Sequence, residues 1–162
     1  MSLVDLPYGL PGRIFRSPMP FTALDPVNTL FRQFQDEGIG VVVLLVEDEQ
    51  TLSRSGRNLR QLYQDHGMEV IYLPIPDFQV PTQEALEAAI QATIERARAG
   101  KNIVVHCYAG LGRTGMFLAC MARRLHGMSA DQAIHWVRSI IPGAIETLGQ
   151  VRVIEEFERG IS

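Results

Sequence analysis

Short apolar runs alternate with longer amphipathic segments along most of this chain. Residues 41–46 (VVVLLV) form a continuous run of valine and leucine, and residues 103–106 begin with a second run, IVV. Such runs are typical of strands that are buried on both faces of a parallel sheet. Residues 13–17 and 69–73 match two further strands. The pattern therefore predicts four strands in one mostly parallel sheet.

Amphipathic segments separate and follow these strands. The predicted helices span residues 28–36, 53–66, 82–99, 114–125, 130–140 and 147–159. Thr82 and Ser129 stand where helix N-caps are preferred, and Gly38 and Gly100 follow two of the predicted C-termini. This alternation predicts the α/β class, with a central, mostly parallel sheet flanked by helices.

Length and composition narrow the class of protein. The 162 residues, 46% of them hydrophobic, predict a single domain over residues 1–162 with a substantial core. A net charge of −3 disfavours non-specific binding of nucleic acid or an anionic membrane. Residues 41–46 are too few to cross a bilayer, and residues 1–7 lack the pattern of a secretory signal. We expect a cytoplasmic monomer, since the two cysteines form no disulfide framework.

The candidate chemistry follows the strand at 103–106. Residues 106–115, HCYAGLGRTG, place a Cys and an Arg six positions apart between a predicted strand and a predicted helix. We call this segment the signature loop. Its free backbone N–H groups and the helix N-terminus would attract an anion, and that field favours the thiolate of Cys107. Arg113 can hold two phosphate oxygens, and Thr114 is placed to donate to the departing sulfur. The combination indicates phosphoryl transfer through a phosphocysteine.

The loop fills every fixed position of the signature H-C-x5-R-[ST]-G, so the chain resembles the protein tyrosine phosphatase superfamily. It is similar to the small dual-specificity phosphatases, in particular the kinase-associated phosphatase branch, which carries a comparable G-L-G-R segment. The resemblance implies a cysteine-dependent phosphatase fold and a dual-specificity phosphatase catalytic domain. It also implies that phosphate is bound by Tyr108, Ala109, Gly110, Leu111, Gly112 and Arg113. His106 would order the loop, which agrees with its other interpretation as the last residue of a buried strand.

A phosphatase nucleophile needs an acid that protonates the leaving group. The candidate is Asp77, thirty positions before Cys107, in a segment (73–81) that three prolines make non-helical. The general-acid loop of the resembling family has this placement. The alternative is that Asp77 only begins a turn.

A second segment, residues 142–150 (PGAIETLGQ), resembles one in the small atypical phosphatases. There the final Gln lies near the active site and helps to orient water, so Gln150 receives that role here. The alternative is an exposed helix residue. Ile141 departs from the resembling family, whose members often have Arg at this position. Arg138 either compensates for that Arg or is an ordinary solvated charge.

No cofactor is expected from the remaining titratable residues. His66, His126 and His135 lack the spacing of metal ligands, and neither cysteine belongs to a C-x-x-C pair. We therefore expect no metal site. Cys120 falls on an apolar helix and is interpreted as a core residue, with a disulfide to Cys107 as the minor alternative.

The substrate class is predicted from what the chain lacks. A chain of this length leaves little room for the loop that deepens the cleft of tyrosine-specific enzymes, so we expect phosphotyrosine, phosphoserine and phosphothreonine in proteins. Tyr108 and Leu111 stand where lipid-directed relatives have Lys, and the loop lacks the second His and the Asn of the RNA 5′-triphosphatase variant. The alternatives are a non-protein phosphoester, such as a phosphoinositide or an RNA 5′-phosphate, and a non-catalytic phospho-binding module. The module is disfavoured because Cys107, Arg113, Thr114 and Asp77 are all present.

Overall fold

The computed structural model describes residues 3–158. Its strands are β1 (Val4–Leu6), β2 (Ile14–Ser17), β3 (Ile39–Leu44), β4 (Glu69–Tyr72) and β5 (Asn102–His106). Its helices are α1 (Leu30–Asp36), α2 (Asp48–Ser55), α3 (Leu59–Asp65), α4 (Gln83–Arg98), α5 (Gly112–His126), α6 (Ala130–Ile140) and α7 (Leu148–Glu156). From β2 to β5, one or two helices separate each strand from the next, which confirms the predicted α/β class.

The five strands form one sheet in the order β1-β2-β5-β3-β4. Strands β2, β5, β3 and β4 run parallel, and only β1 pairs antiparallel, at the edge beside β2. The predicted mostly parallel sheet is therefore confirmed. The sequence pattern missed β1 because a three-residue strand is too short to show alternation.

Strand β5 lies at the centre of the sheet and is almost entirely buried. Its Ile103, Val104 and Val105 are 0% exposed. In the register Val104 lies beside Phe15 of β2 and Val42 of β3. Because ligands of open α/β sheets bind at the carboxyl ends of the strands, the segment after His106 lies where a site is expected.

The predicted single helix over residues 53–66 is wrong. Two shorter helices, α2 and α3, occupy residues 48–65, because Gly56 ends α2 with φ +74° and Asn58 begins α3. The Asn58 side chain accepts a hydrogen bond from the backbone N–H of Gln61 at 3.0 Å. A left-handed glycine and an N-cap in succession are a strong stop-and-start signal. Because α2 begins at Asp48, Gln50 lies beside the signature loop, where it contacts Arg113.

Smaller differences concern element ends. Strand β3 spans residues 39–44, two residues earlier than the predicted 41–46, and α1 begins two residues after the predicted start at 28. Helix α7 ends at Glu156, short of the predicted end at residue 159, which lies outside the described residues.

Helix α5 is buried on every side from Gly112 to Arg123. A helix that is apolar all round belongs in the interior, and here α5 packs against α4, α6 and α7. Among residues 3–158, no helix combines the length and the apolar character needed to cross a membrane.

Candidate active site

The signature loop joins the central strand to the buried helix. Strand β5 ends at His106 and α5 begins at Gly112, so residues 107–111 turn the chain at the carboxyl end of the sheet. Cys107 is 2% exposed, at the base of a pocket. Cys107, the predicted nucleophile, therefore lies at the carboxyl end of the central strand, as the sequence predicted.

Arg16 holds the outer side of this loop. The buried guanidinium donates from Nε to the carbonyl oxygen of Gly110 and from Nη2 to that of Ala109, both at 3.1 Å. Because a trans peptide places C=O and the next N–H on opposite sides, the N–H groups of Gly110 and Leu111 point away from Arg16. Arg16 thus helps to form the predicted anion-binding concavity. Sequence reasoning missed this residue, because its two partners lie 94 and 93 positions further along the chain.

The backbone at position 110 requires a glycine. Its φ is +74°, and a Cβ there would lie 2.5 Å from the carbonyl oxygen of Ser17 and 2.9 Å from Nη2 of Arg16. Glycine is the residue that adopts this backbone without strain and lets two chain segments approach this closely.

Thr114 lies directly beside the nucleophile. Its hydroxyl donates a hydrogen bond to Sγ of Cys107 at 3.1 Å, and both side chains are buried. A donor at this distance stabilises negative charge on sulfur more than it stabilises a neutral thiol. The predicted contact between Thr114 and the sulfur is present.

Arg113 is 2% exposed and is held by three partners. Its Nη1 donates to Oε1 of Gln50 at 2.9 Å and to the carbonyl oxygen of Ile75 at 2.8 Å. Its Nη2 forms an ion pair with Asp77 at 3.1 Å. Gln50 was missed by sequence reasoning because nothing in the α2 segment marks it as a partner of a residue 63 positions away.

Asp77 lies in the same pocket as Cys107. The irregular segment between β4 and α4 carries it there, and its carboxylate also accepts from the backbone N–H of Phe78 at 3.1 Å. The side chain is 37% exposed and therefore reaches both solvent and Arg113. The structure brings the predicted acid and the predicted nucleophile together.

His106 links the loop to the core. Burial and the positive charge of Arg113 lower the pKa of His106 from 6.5 to about 4, against the opposing effect of a hydrogen bond to the Cys107 carbonyl. That carbonyl, 2.8 Å away, only accepts, so Nδ1 of the neutral ring donates to it. Nε2 therefore accepts from the hydroxyl of Tyr63 at 2.7 Å. His106 therefore ends a buried strand, as predicted, and its ring also contacts the backbone of the loop.

Gln150 is buried at 1% exposure, so its interpretation as an exposed helix residue is wrong. It belongs to a capping box at the start of α7, and its Oε1 accepts from the backbone N–H groups of Glu146 at 2.8 Å and Thr147 at 3.2 Å. Because the oxygen is occupied, the amide nitrogen faces Gly112, 2.9 Å from the point where a Cβ would lie. Gln150 thus borders the signature loop.

Neither Ile141 nor Arg138 offers a cation to the pocket. Ile141 is 3% exposed and belongs to the core. Arg138 donates from Nε to the carbonyl oxygen of Ala144 and from Nη2 to that of Ile145, both at 2.9 Å. Arg138 is exposed, as expected for a solvated charge, but it does not substitute for the missing Arg, because its guanidinium holds the turn before α7.

Outside the pocket, the predicted core role of Cys120 is confirmed. It is 0% exposed, and burial raises the pKa of its thiol well above the ordinary value. Both Cys107 and Cys120 are free thiols. Within the part of the chain that the structure describes, no group of three or more His, Cys, Asp or Glu side chains could hold a metal ion.

Comparisons with known proteins match this fold and this loop. A family model described as "Polymorphic toxin system, DSP-PTPase phosphatase" matches residues 20–127. "Protein tyrosine phosphatase domain-containing protein 1" of Danio rerio is 32% identical over 146 residues, 85% of this chain and 20% of that protein. "Phosphatidylglycerophosphate phosphatase PTPMT2" of Arabidopsis thaliana is 32% identical over 123 residues, 75% of this chain and 52% of that protein. The crystal structure of Tk-PTP in the active form has a TM-score of 0.75 and 34% identity, and covers 91% of this chain and 92% of that one.

A parallel sheet with a cysteine loop after its central strand defines the class, that of the protein tyrosine phosphatase fold. Within it, the chain belongs to the DSP-PTPase phosphatase family, whose model spans both Asp77 and the signature loop. The predicted superfamily is thereby confirmed. The chain spans about a fifth of the length of the Danio rerio relative and about half of the Arabidopsis relative.

Proposed function

We propose that this protein hydrolyses phosphate monoesters through a phosphocysteine on Cys107. The thiolate attacks phosphorus, Arg113 and the loop N–H groups bind the phosphoryl oxygens, and Asp77 protonates the leaving oxygen. In the second step Gln150 orients a water that releases phosphate, and Thr114 stabilises the departing thiolate. The observation that carries this proposal is one pocket that contains Cys107, Arg113 and Asp77.

We further infer that the substrate is a phosphorylated protein side chain, on tyrosine and on serine or threonine. The groove next to the pocket supports this inference, because its three carboxylates (Glu47, Glu49 and Asp77) outnumber its one cation, Arg54. These carboxylates would repel a headgroup with several phosphates. Tyr108 and Leu111 add no positive charge for such a headgroup. We also place the enzyme in the cytoplasm, where a catalytic thiol stays reduced.

A second candidate substrate is a lipid phosphomonoester. It is favoured by the name of the Arabidopsis relative, a phosphatidylglycerophosphate phosphatase, which matches 75% of this chain. A lipid with a single terminal phosphomonoester meets less repulsion from the acidic groove than a polyphosphorylated inositol would.

The deciding experiment compares kcat/KM on matched substrates. Phosphotyrosine, phosphoserine and phosphothreonine peptides are set against phosphatidylglycerophosphate and a phosphoinositide in vesicles, with Cys107→Ser as the control. We expect the peptides to be preferred and the control to be inactive while it still binds tungstate. A higher kcat/KM on phosphatidylglycerophosphate would replace the protein substrate by the lipid. Turnover by Cys107→Ser would overturn the phosphocysteine mechanism itself.

A further inference from the structure

A carboxylate outside the cysteine signature shares the pocket with the nucleophile. Glu146 lines this pocket together with Cys107, Asp77 and Arg113. Among the residues that the structure describes, none donates a hydrogen bond to this carboxylate or forms an ion pair with it. An ionised carboxylate only accepts, so Glu146 has free capacity for a proton. Its exposure lets that proton pass on to solvent.

The backbone before Glu146 is strained and firmly held. Ile145 has φ +64°, a left-handed conformation that is a genuine outlier for a β-branched residue. Its N–H donates to the Leu111 carbonyl at 3.1 Å, and Arg138 binds the carbonyls of Ala144 and Ile145. Such strain persists where the surroundings impose it, and it clusters at functional sites. The turn thus attaches Glu146 to the signature loop through Leu111.

The side chains of Gln150 and Glu146 both lie beside Gly112, the first residue of α5. The atoms nearest to a Cβ built on Gly112 are Oε1 of Glu146 and then Nε2 of Gln150. Among residues 3–158 this Nε2 has no hydrogen-bond partner, so it has N–H groups to offer. The amide and the carboxylate thus both lie beside Gly112, and a water next to both groups can accept from Gln150 while it donates to Glu146.

We propose that Glu146 is the base that accepts the proton of the hydrolytic water in the second step. This inference rests on the proposed function. The water oxygen forms a bond to phosphorus, and the phosphorus–sulfur bond breaks with its electron pair passing to Sγ of Cys107. The water proton passes to Glu146 and then to solvent, and inorganic phosphate leaves. Asp77, paired with Arg113, serves the first step.

Rapid-mixing kinetics with p-nitrophenyl phosphate separate the two steps. Glu146→Gln keeps the shape of the side chain and removes its basicity. We expect the first turnover to release p-nitrophenol at the wild-type rate, while steady-state turnover falls by about 100-fold or more, the usual contribution of a general base. Phosphorylated Cys107 should then accumulate and be detected by mass spectrometry of the quenched enzyme.

Glu155→Gln is the matched control. It removes an exposed carboxylate of α7 that lines neither the cysteine pocket nor the neighbouring groove, so both kinetic phases should match the wild type. The role of Glu146 is wrong if Glu146→Gln slows both phases equally, or if it turns over at the wild-type rate. Should that happen while Cys107→Ser is inactive, the proposed function stands and only the assignment to Glu146 fails. An active Cys107→Ser would overturn both.

Discussion

At the scale of single residues, the buried positive charge of Arg113 is the main electrostatic feature of the pocket. Its cation is buried, and Asp77 is its only ion-pair partner among the described residues. Gln50 and the Ile75 carbonyl orient the guanidinium without neutralising it. In the proposed mechanism, a bound phosphate would compete with Asp77 for Nη2, and this competition would free the carboxyl group to face the leaving group.

Asp77→Asn tests this competition. Removing the carboxylate charge should strengthen tungstate binding by about two- to fivefold, the size of a partly exposed ion pair. Loss of the acid should at the same time slow hydrolysis of phosphotyrosine by about 100-fold or more, and that of p-nitrophenyl phosphate less, because its leaving group needs less protonation. Inhibition constants and kcat for the two esters provide the measurement.

Asp131→Asn is the control for Asp77→Asn, since it removes an exposed carboxylate of α6 that lines neither the groove nor the cysteine pocket. Equal slowing of both esters by Asp77→Asn would contradict the acid role, and unchanged tungstate binding would contradict the competition with Arg113.

At the scale of elements, the sequence correctly predicted those features that depend on residues close together in the chain. The apolar run of β3 predicted a buried strand of the sheet, and the N-cap Thr82 predicted the start of α4. Both signals act over only a few residues. The signature likewise predicted Cys107, Arg113 and Thr114, which lie within eight consecutive residues. Arg16 and Gln50 lie on remote elements and carried no such mark, since their contacts with the loop depend on how the strands are ordered in the sheet.

Arg16, the last-but-one residue of β2, is the clearest of these remote partners. Arg16→Met should leave the Ala109 and Gly110 carbonyls without this donor and loosen the loop. We expect tungstate affinity to fall by about 10- to 100-fold, the value of hydrogen bonds to a charged group. Calorimetric titration measures the affinity, and circular dichroism checks the fold.

Two further variants are compared with Arg16→Met. Arg13→Met removes an exposed Arg just before β2, whose ion pairs to Asp5 and Glu37 are at the surface, and should bind tungstate as the wild type does. Arg16→Lys retains the charge without the two-pronged geometry and should fall between wild type and Arg16→Met. Wild-type affinity in both Arg16 variants would show that the loop holds its shape without this residue.

At the scale of the whole molecule, the site is assembled from segments that meet at one end of the sheet. The signature loop follows strand β5, and Asp77 lies in the segment after β4. Helix α2 contributes Gln50, and the start of α7 contributes Gln150. His106 ties this assembly to the core through Tyr63 of α3. Burial raises the pKa of Tyr63 well above its usual value, so its hydroxyl keeps the proton that it donates.

This buried link makes stability depend on pH. The pKa of His106 is about 4 in the folded protein and 6.5 when unperturbed. Between these values the unfolded state binds one proton more, so the free energy of unfolding falls as pH falls from about 7 toward 4. At 1.36 kcal/mol per pKa unit, the loss that His106 contributes is about 3 kcal/mol. Urea unfolding at pH 7.5 and 4.5, followed by the fluorescence of Trp136, measures the loss.

His106→Asn should remove this contribution, so its stability should fall about 3 kcal/mol less than that of the wild type between the same two pH values. The comparison cancels the contribution of the carboxylates, which both proteins share. His135→Asn, at an exposed position of α6, should keep the wild-type dependence. Parallel losses in wild type and His106→Asn would mean that His106 accepts a proton without unfolding. The loop would then tolerate a charged imidazole beside Arg113, which contradicts the neutral link between the core and Cys107.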